Sequence, residues 1–306
     1  MITNHAKRAL PTLVVAAIAL ALLVSGCGAA ASGTKPKPKA TNAWLSNIEK
    51  SGVLQLAVMP DPPFMYEDAQ TGKWQGPYIE LLQSWAKSIH VKINYVPNTY
   101  TTVIAAIQAG DVELAPGLSY TAARAQVVWF SNPSWEQIES FAINTQTTPG
   151  VTSWAQLNVP KYSVCSILGA TEQIAYDANK SLYHFPISWQ DSITTCNLAV
   201  ESGRNNAVFD NWIANAALAE SNPNIRLIFG PASIPRETSG SYVISKNYPQ
   251  ADIAPLDAWI AHVKADGQWA QWERQAGLAD ALNYLVPGAT VPTYVKPYAK
   301  AMFGHA

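Results

Sequence analysis

The stretch that decides the fold is residues 52–96, GVLQLAVMPDPPFMYEDAQTGKWQGPYIELLQSWAKSIHVKINYV. Gly52 to Val58 alternates and is rich in β-prone residues, which reads as a strand, and Pro60-Asp61-Pro62-Pro63 stops it. Phe64 then begins a polar hairpin around Thr71-Gly72. Tyr78 to His90 carries Ile79, Leu82, Trp85, Ala86 and Ile89 at helical spacing, and Val91 to Val96 alternates again as a second strand. Strand, helix, strand in this order favours an α/β sandwich built on a parallel sheet.

The same grammar continues outward. Thr102 to Ala109 reads as a helix ended by Gly110, followed by the short apolar stretch Val112 to Ala115 and then Pro116-Gly117. It restarts at Tyr162 to Leu168, a strand, with Gly169-Ala170-Thr171 turning into a helix over Glu172 to Lys180. Ile187 to Trp189 is the next strand, Ser192 to Ser202 a helix, Ala207 to Phe209 a strand and Asn211 to Ala219 a helix. Two α/β units of similar size emerge. Ala254 to Lys264 and Gln268 to Gly277 add helices, and Val286 to Ala306 is a Pro- and Tyr-containing tail. No short-period repeat is present.

The 306 residues suffice for two domains, and 48% hydrophobic content excludes disorder as the main state. With 20 Lys plus Arg against 21 Asp plus Glu there is no basic surplus, so nucleic acid is not an expected partner. Part of the apolar content belongs to an address. Lys7 and Arg8 precede the apolar run Leu13 to Val24, which is shorter than the roughly 20 residues of a bilayer-spanning helix and reads as a secretory signal over 1–26. Val24-Ser25-Gly26-Cys27 resembles the lipobox of bacterial lipoproteins, whose Cys becomes the lipidated first residue. Cleavage before Cys27 leaves 18 positive against 21 negative charges, and residues 27–43 then form a lipid-proximal tether too small and polar to order itself. Cys165 and Cys196 remain as an even pair in an oxidising compartment, which favours a disulfide over two buried thiols. No Cys-x-x-Cys pair or Cys/His cluster is present, so no metal or cofactor is expected.

Several blocks, in order, resemble the bacterial extracellular solute-binding proteins of the polar amino acid family, the receptors of ABC importers. They are Gly52-Val53-Leu54 through Pro62-Pro63-Phe64, then Gly76, then Ile79-Glu80-Leu81-Leu82. Ala105 to Val112, Gly117 to Arg124 and Phe130-Ser131-Asn132-Pro133 follow, and the second half adds Gly169-Ala170-Thr171, Ala207 to Asp210 and Ala265-Asp266-Gly267. The resemblance implies a type II periplasmic-binding-protein fold, two Rossmann-like α/β lobes joined by two crossing strands. It places lobe 1 at 44–137 plus 240–306 and lobe 2 at 138–239, with ligand in the cleft between them.

The resemblance also assigns roles. Arg124 matches the arginine that grips a ligand carboxylate, a task that suits a guanidinium fork; alone it would read as a surface arginine early in a helix. Ser119, Thr121 and Thr171 would complete the anion cradle, with Gly117 and Ala170 beside them in the matching blocks. Asp210 matches the carboxylate that receives the ligand ammonium, and it also reads as an N-cap for the helix that follows. Phe64 and Tyr100 stand where aromatic pocket walls are common. The chain departs from the pattern at Asp61, where an aromatic residue often stands, and at Tyr78, where an Asp is usual. Asp61 suits a cationic or polar ligand group, or simply a turn-forming Asp-Pro.

The expected function is the extracytoplasmic substrate-binding component of an ABC importer. It is expected to be a monomer held on a membrane through Cys27, passing an amino acid or similar zwitterion to a permease without chemistry of its own. Two alternatives share the fold: a dehydratase-like periplasmic enzyme, for which Glu172 is the available proton donor, and a ligand sensor acting through a partner. Glu172 also has the ordinary role of an acidic residue at a helix start. No G-x-S-x-G, H-E-x-x-H, P-loop or dinucleotide fingerprint occurs, and His90, His184 and His262 lack spaced partners.

Overall fold

The computed structural model describes residues 42–136, 138–231, 238–239, 241–276 and 280–305. The expected signal 1–26, Cys27, all but the last two residues of the 27–43 tether, and Gly277 at the end of an expected helix lie outside them. Asn42 accepts the Leu45 N–H at 2.8 Å and starts α1 (Ala43–Ser51), after which Gly52 turns the chain into β1 (Val53–Val58). The hairpin β2 (Tyr66–Glu67) and β3 (Trp74–Gln75) leads to α2 (Pro77–Ser88), whose first-turn proline lacks an N–H that no helix would use there. α2 buries Ile79, Leu82, Trp85 and Ala86, the face its spacing predicts, while Ile89 packs partly buried beyond its end. β4 (Lys92–Pro97) then pairs parallel with β1 from Val53–Lys92 to Val58–Pro97. Trp85 stacks on Trp44 of α1 with ring centroids 5.4 Å apart, and each large apolar side chain so buried contributes roughly 2 kcal/mol.

α3 (Val103–Ala109) ends at Gly110 as the sequence predicts. β5 is Ala115–Leu118, so Pro116-Gly117 lie inside the strand and do not end it. The strand tolerates them because its partner, the returning segment 241–245, pairs at Ala115–Val243 and Leu118–Ser241 with a register irregularity between, so the donor missing at Pro116 falls where the ladder is already broken. α4 (Ala122–Ala125), β6 (Val128–Phe130) and β7 (Trp135–Glu136) complete the outward path.

The second lobe is one five-stranded sheet. In chain order it runs β8 (Glu139–Asn144), α5 (Trp154–Leu157), β9 (Val164–Ile167), α6 (Thr171–Ala178), β10 (Ile187–Gln190), α7 (Ile193–Glu201), β11 (Ala207–Asn211), α8 (Trp212–Ser221) and β12 (Ile225–Phe229). The strand order is β10-β9-β11-β8-β12, with β10, β9 and β11 parallel and β8 antiparallel to both its neighbours. Phe141 and Phe209 stack at 4.6 Å in its core. The helix expected over Glu172 to Lys180 stops at Ala178 and is followed by a 3-10 turn over Lys180–Leu182. Cys165 on β9 and Cys196 on α7 are joined by a disulfide, which excludes the two-thiol reading.

The chain returns through β13 (Thr238–Ser239), antiparallel to β7, and β14 (Ser241–Ser245), which lies between β5 and β6. The paired β7, on the way out, and β13, on the way back, are the two crossing strands. α9 (Ala254–Ala265) and α10 (Gln268–Gln275) pack on α2. The stretch 240–306, expected as one part of lobe 1, then divides. Leu285 bridges Leu227 of β12, the Val286 N–H donates to the Leu227 carbonyl at 2.9 Å, and the Tyr294 hydroxyl donates to the Gly230 carbonyl at 2.7 Å. α11 (Lys296–Phe303) brings the Phe303 ring to 5.4 Å from Trp212. Part of the segment reaches the second lobe because the open edge of β12 offers backbone partners that an added strand-like segment can satisfy, while Tyr298, Ala301 and Met302 of α11 also line a cleft with Trp269, Ala270 and Glu273 of α10. Among the described residues no helix is long and apolar enough to cross a membrane.

Candidate functional site

Four strands deliver their carboxyl ends to one place, where open α/β sheets hold ligands. From the first lobe come Asp61 beyond β1, Gly117 and Ser119 at the end of β5, Tyr78 in the first turn of α2, Tyr100 before α3 and Arg124 in α4. From the second come Ile167 ending β9, Ala170 to Glu172 at the start of α6, and Asp210 and Asn211 ending β11. These side chains converge on a cavity of about 20 Å³, room for about one water. A ligand larger than water needs the lobes to separate.

Arg124 is buried and joins the lobes: Nη1 donates to the Ser119 carbonyl at 2.9 Å and Nη2 to the Gly169 carbonyl at 2.8 Å. Gly169 has φ +78°, and a Cβ there would lie 2.9 Å from Thr101 Cγ2 and 3.0 Å from the Thr101 nitrogen, so only a bare α-carbon permits this approach. Across the cavity, Asp210 Oδ1 accepts the Asn211 N–H at 2.6 Å, while Oδ2 is buried with no donor. The cap of α8 is Asn211, whose side chain accepts from the Ile213 and Ala214 N–H groups; the N-cap reading of Asp210 is thereby corrected. Glu172 is buried within hydrogen-bond reach of Glu139 on β8 and of Asp210. The Tyr100 hydroxyl donates to Asp61 Oδ2 at 3.1 Å.

Of the ten ligand-contact residues expected from sequence, eight line the cavity: Asp61, Tyr100, Gly117, Ser119, Arg124, Ala170, Thr171 and Asp210. Two do not. Thr121 turns its hydroxyl to the Arg124 N–H at 3.1 Å and so caps α4, and Phe64 lies behind Tyr78 with ring centroids 5.5 Å apart. Tyr78 takes the wall position because Gly117, at φ +71°, lets the ring approach: a Cβ on Gly117 would stand 3.1 Å from Tyr78 Cε2. Tyr78, Ile167, Glu172 and Asn211 were not among the expected contacts, although Tyr78 stood out as a departure from the pattern and Glu172 as a proton donor.

Three carboxyl groups share this small space with one guanidinium. Burial, opposed by the Tyr100 hydrogen bond and reinforced by Glu172, pushes Asp61 up to about 7. Burial, then the neighbouring Glu172 and Asp61, holds Asp210 well above the ordinary carboxylate range, and burial also raises Glu172 despite Arg124 nearby. Between the ordinary carboxylate range and about pH 7 the folded chain therefore keeps protons that the unfolded chain has released. Stability from these groups is complete at acid pH and is lost as pH rises through the folded values. Melting of the ligand-free protein at constant ionic strength is expected to be higher at pH 5 than at pH 8, by on the order of 5 °C. Asp61→Asn should shrink the difference, and a higher midpoint at pH 8 in the unsubstituted protein would overturn this account of the cluster.

A family model described as bacterial extracellular solute-binding proteins, family 3, matches residues 54–277. Among solved structures, the chain is similar to the ancestral amino acid-binding protein AncCDT-1, a precursor of cyclohexadienyl dehydratase, at 24% identity and TM-score 0.67 over 76% of this chain and 98% of that one. An amino acid ABC transporter substrate-binding protein from Streptococcus pneumoniae, bound to L-arginine, matches at 18% identity and TM-score 0.69 over 76% and 97%. A solute receptor for L-cysteine from Neisseria gonorrhoeae matches at 23% identity and TM-score 0.64 over 76% and 92%. At these identities the likeness concerns the fold, the two-lobed type II architecture.

Proposed function

Because the chain belongs to the bacterial extracellular solute-binding proteins of family 3, we propose that it is the extracytoplasmic substrate-binding component of an ABC importer for an amino acid or similar small zwitterion. The observation that carries the ligand class is the pairing of Arg124 from the first lobe with Asp210 from the second in one buried cavity. A carboxylate suits the guanidinium and an ammonium suits the Oδ2 of Asp210 that has no donor, so a zwitterion satisfies both lobes only when they are together. Capture, closure and delivery to a permease follow from that coupling. The Cys165–Cys196 disulfide supports an oxidising compartment, and lipid on Cys27 would hold the protein at a membrane surface. Labelled palmitate that remains on a Cys27→Ser protein would remove the anchor from this reading.

The test is a thermal-shift panel of standard amino acids, amines and small carboxylates on the purified 28–306 protein. A ligand at 100 times its dissociation constant adds about 2.7 kcal/mol of stability and raises the midpoint. Silence of every zwitterion in the panel would overturn the proposal.

A second reading, an elimination enzyme on the same fold, rests on Glu172, a buried carboxyl in the cavity whose proton is held by burial. In such a reaction Glu172 would give its proton to a leaving hydroxyl as the C–O bond breaks, and its carboxylate would recover a proton from the adjacent carbon. Conversion of β-hydroxy carboxylates to unsaturated products, lost in Glu172→Gln, would favour it; unchanged substrate after long incubation would exclude it.

A further inference from the structure

The side chain of Asp61 is not needed to close the turn in which it stands. The turn it begins is closed by backbone alone: its N–H donates to the Met65 carbonyl at 2.7 Å, and its carbonyl accepts the Phe64 and Met65 N–H groups at 2.9 and 3.0 Å. The side chain instead enters the cavity, where Oδ2 takes the Tyr100 hydroxyl and Oδ1, buried, has no donor. An acceptor left in that state costs free energy unless something arrives to satisfy it.

Charge in the cavity points the same way. Asp61, Glu172 and Asp210 face one cation, Arg124, among the described lining residues. A neutral zwitterion offers these three carboxyl groups a single cation. A ligand with one further positive group gives a second of them a partner and favours its ionised form, and the Tyr78 and Tyr100 rings that line the same cavity are suitable walls for a cation.

We propose that Asp61, supported by Glu172, forms a second cation subsite beside the ammonium position at Asp210, and that the ligand is an amino acid whose side chain carries a guanidinium or ammonium group. The inference rests on the zwitterion-binding reading above and narrows it. Asp61 then sets specificity, while Arg124 and Asp210 hold the main-chain groups that all amino acids share.

Titration calorimetry at pH 8 with matched probes tests it: L-arginine against L-citrulline, and L-lysine against L-norleucine. The cationic member of each pair is expected to bind at least about 100-fold tighter. Asp61→Asn should reduce that ratio to below about tenfold while citrulline binding persists, and Glu172→Gln should reduce it in the same direction. Ratios below tenfold in the unsubstituted protein, or ratios that Asp61→Asn leaves unchanged, overturn the subsite. If uncharged zwitterions bind and the cationic ones do not, only this inference fails; if no zwitterion binds, the substrate-binding reading fails with it.

Discussion

Replacing Arg124 by Ala is expected to weaken ligand binding by at least about 100-fold, because truncating one member of a buried, hydrogen-bonded charge pair costs roughly 2–5 kcal/mol. Arg124 is the one cationic side chain among the described residues that line the cavity, and it reaches carbonyls in both lobes. Its loss would remove the proposed carboxylate anchor and leave the three carboxyl groups with no cation among the described lining residues. Asp210→Asn should match it in binding but differ in stability. Asp210 is a buried carboxyl that resists ionisation, so replacing it should raise the melting temperature of the ligand-free protein at pH 8. Calorimetry and melting of the two variants together decide the matter. Retained affinity in both would sink the site, whereas a melting temperature that falls in Asp210→Asn would sink only the electrostatic account.

Reduction of the Cys165–Cys196 bond, or the double substitution Cys165→Ala, Cys196→Ala, is expected to cost about 3–4 kcal/mol and lower the melting temperature by on the order of 10 °C. The cysteines are 31 residues apart, and the loop they close contains α6 and β10, one of the two edge strands of the sheet. Without the bond, β10 is held by pairing with β9 on one side only, and the unfolded chain regains the freedom of the whole loop. Melting of the oxidised, reduced and doubly substituted proteins gives the comparison; three coincident curves would show that the bond adds nothing.

Much of the architecture is readable from residue order because it is written locally. The apolar spacing of Ile79, Leu82, Trp85 and Ala86 specifies both the helix and the face it buries. The misreadings occur where a distant partner decides. Nothing near Pro116-Gly117 announces a strand, since the irregular pairing that accommodates them comes from residues more than a hundred positions later. The segment after Asp280 has no periodicity that names β12 as its neighbour. At the site, eight of the ten residues expected from motif order line the cavity, but motif order does not say whether a polar residue at a helix start turns inward. Thr121 faces its own helix and Glu172 faces the cavity, and both follow from backbone direction at a helix start, a property that residue type does not encode.

The bridge from Arg124 to the Gly169 carbonyl, and the bare α-carbon that allows it, bear on how fast the protein can work. The chain's own hydrogen bond holds the lobes together, so ligand must wait for a thermally driven opening before it can enter. Association measured at rising ligand concentration would then level off at the opening rate and not climb without limit. Such a carrier gives up speed when solute is plentiful and keeps its pocket sealed when it is scarce.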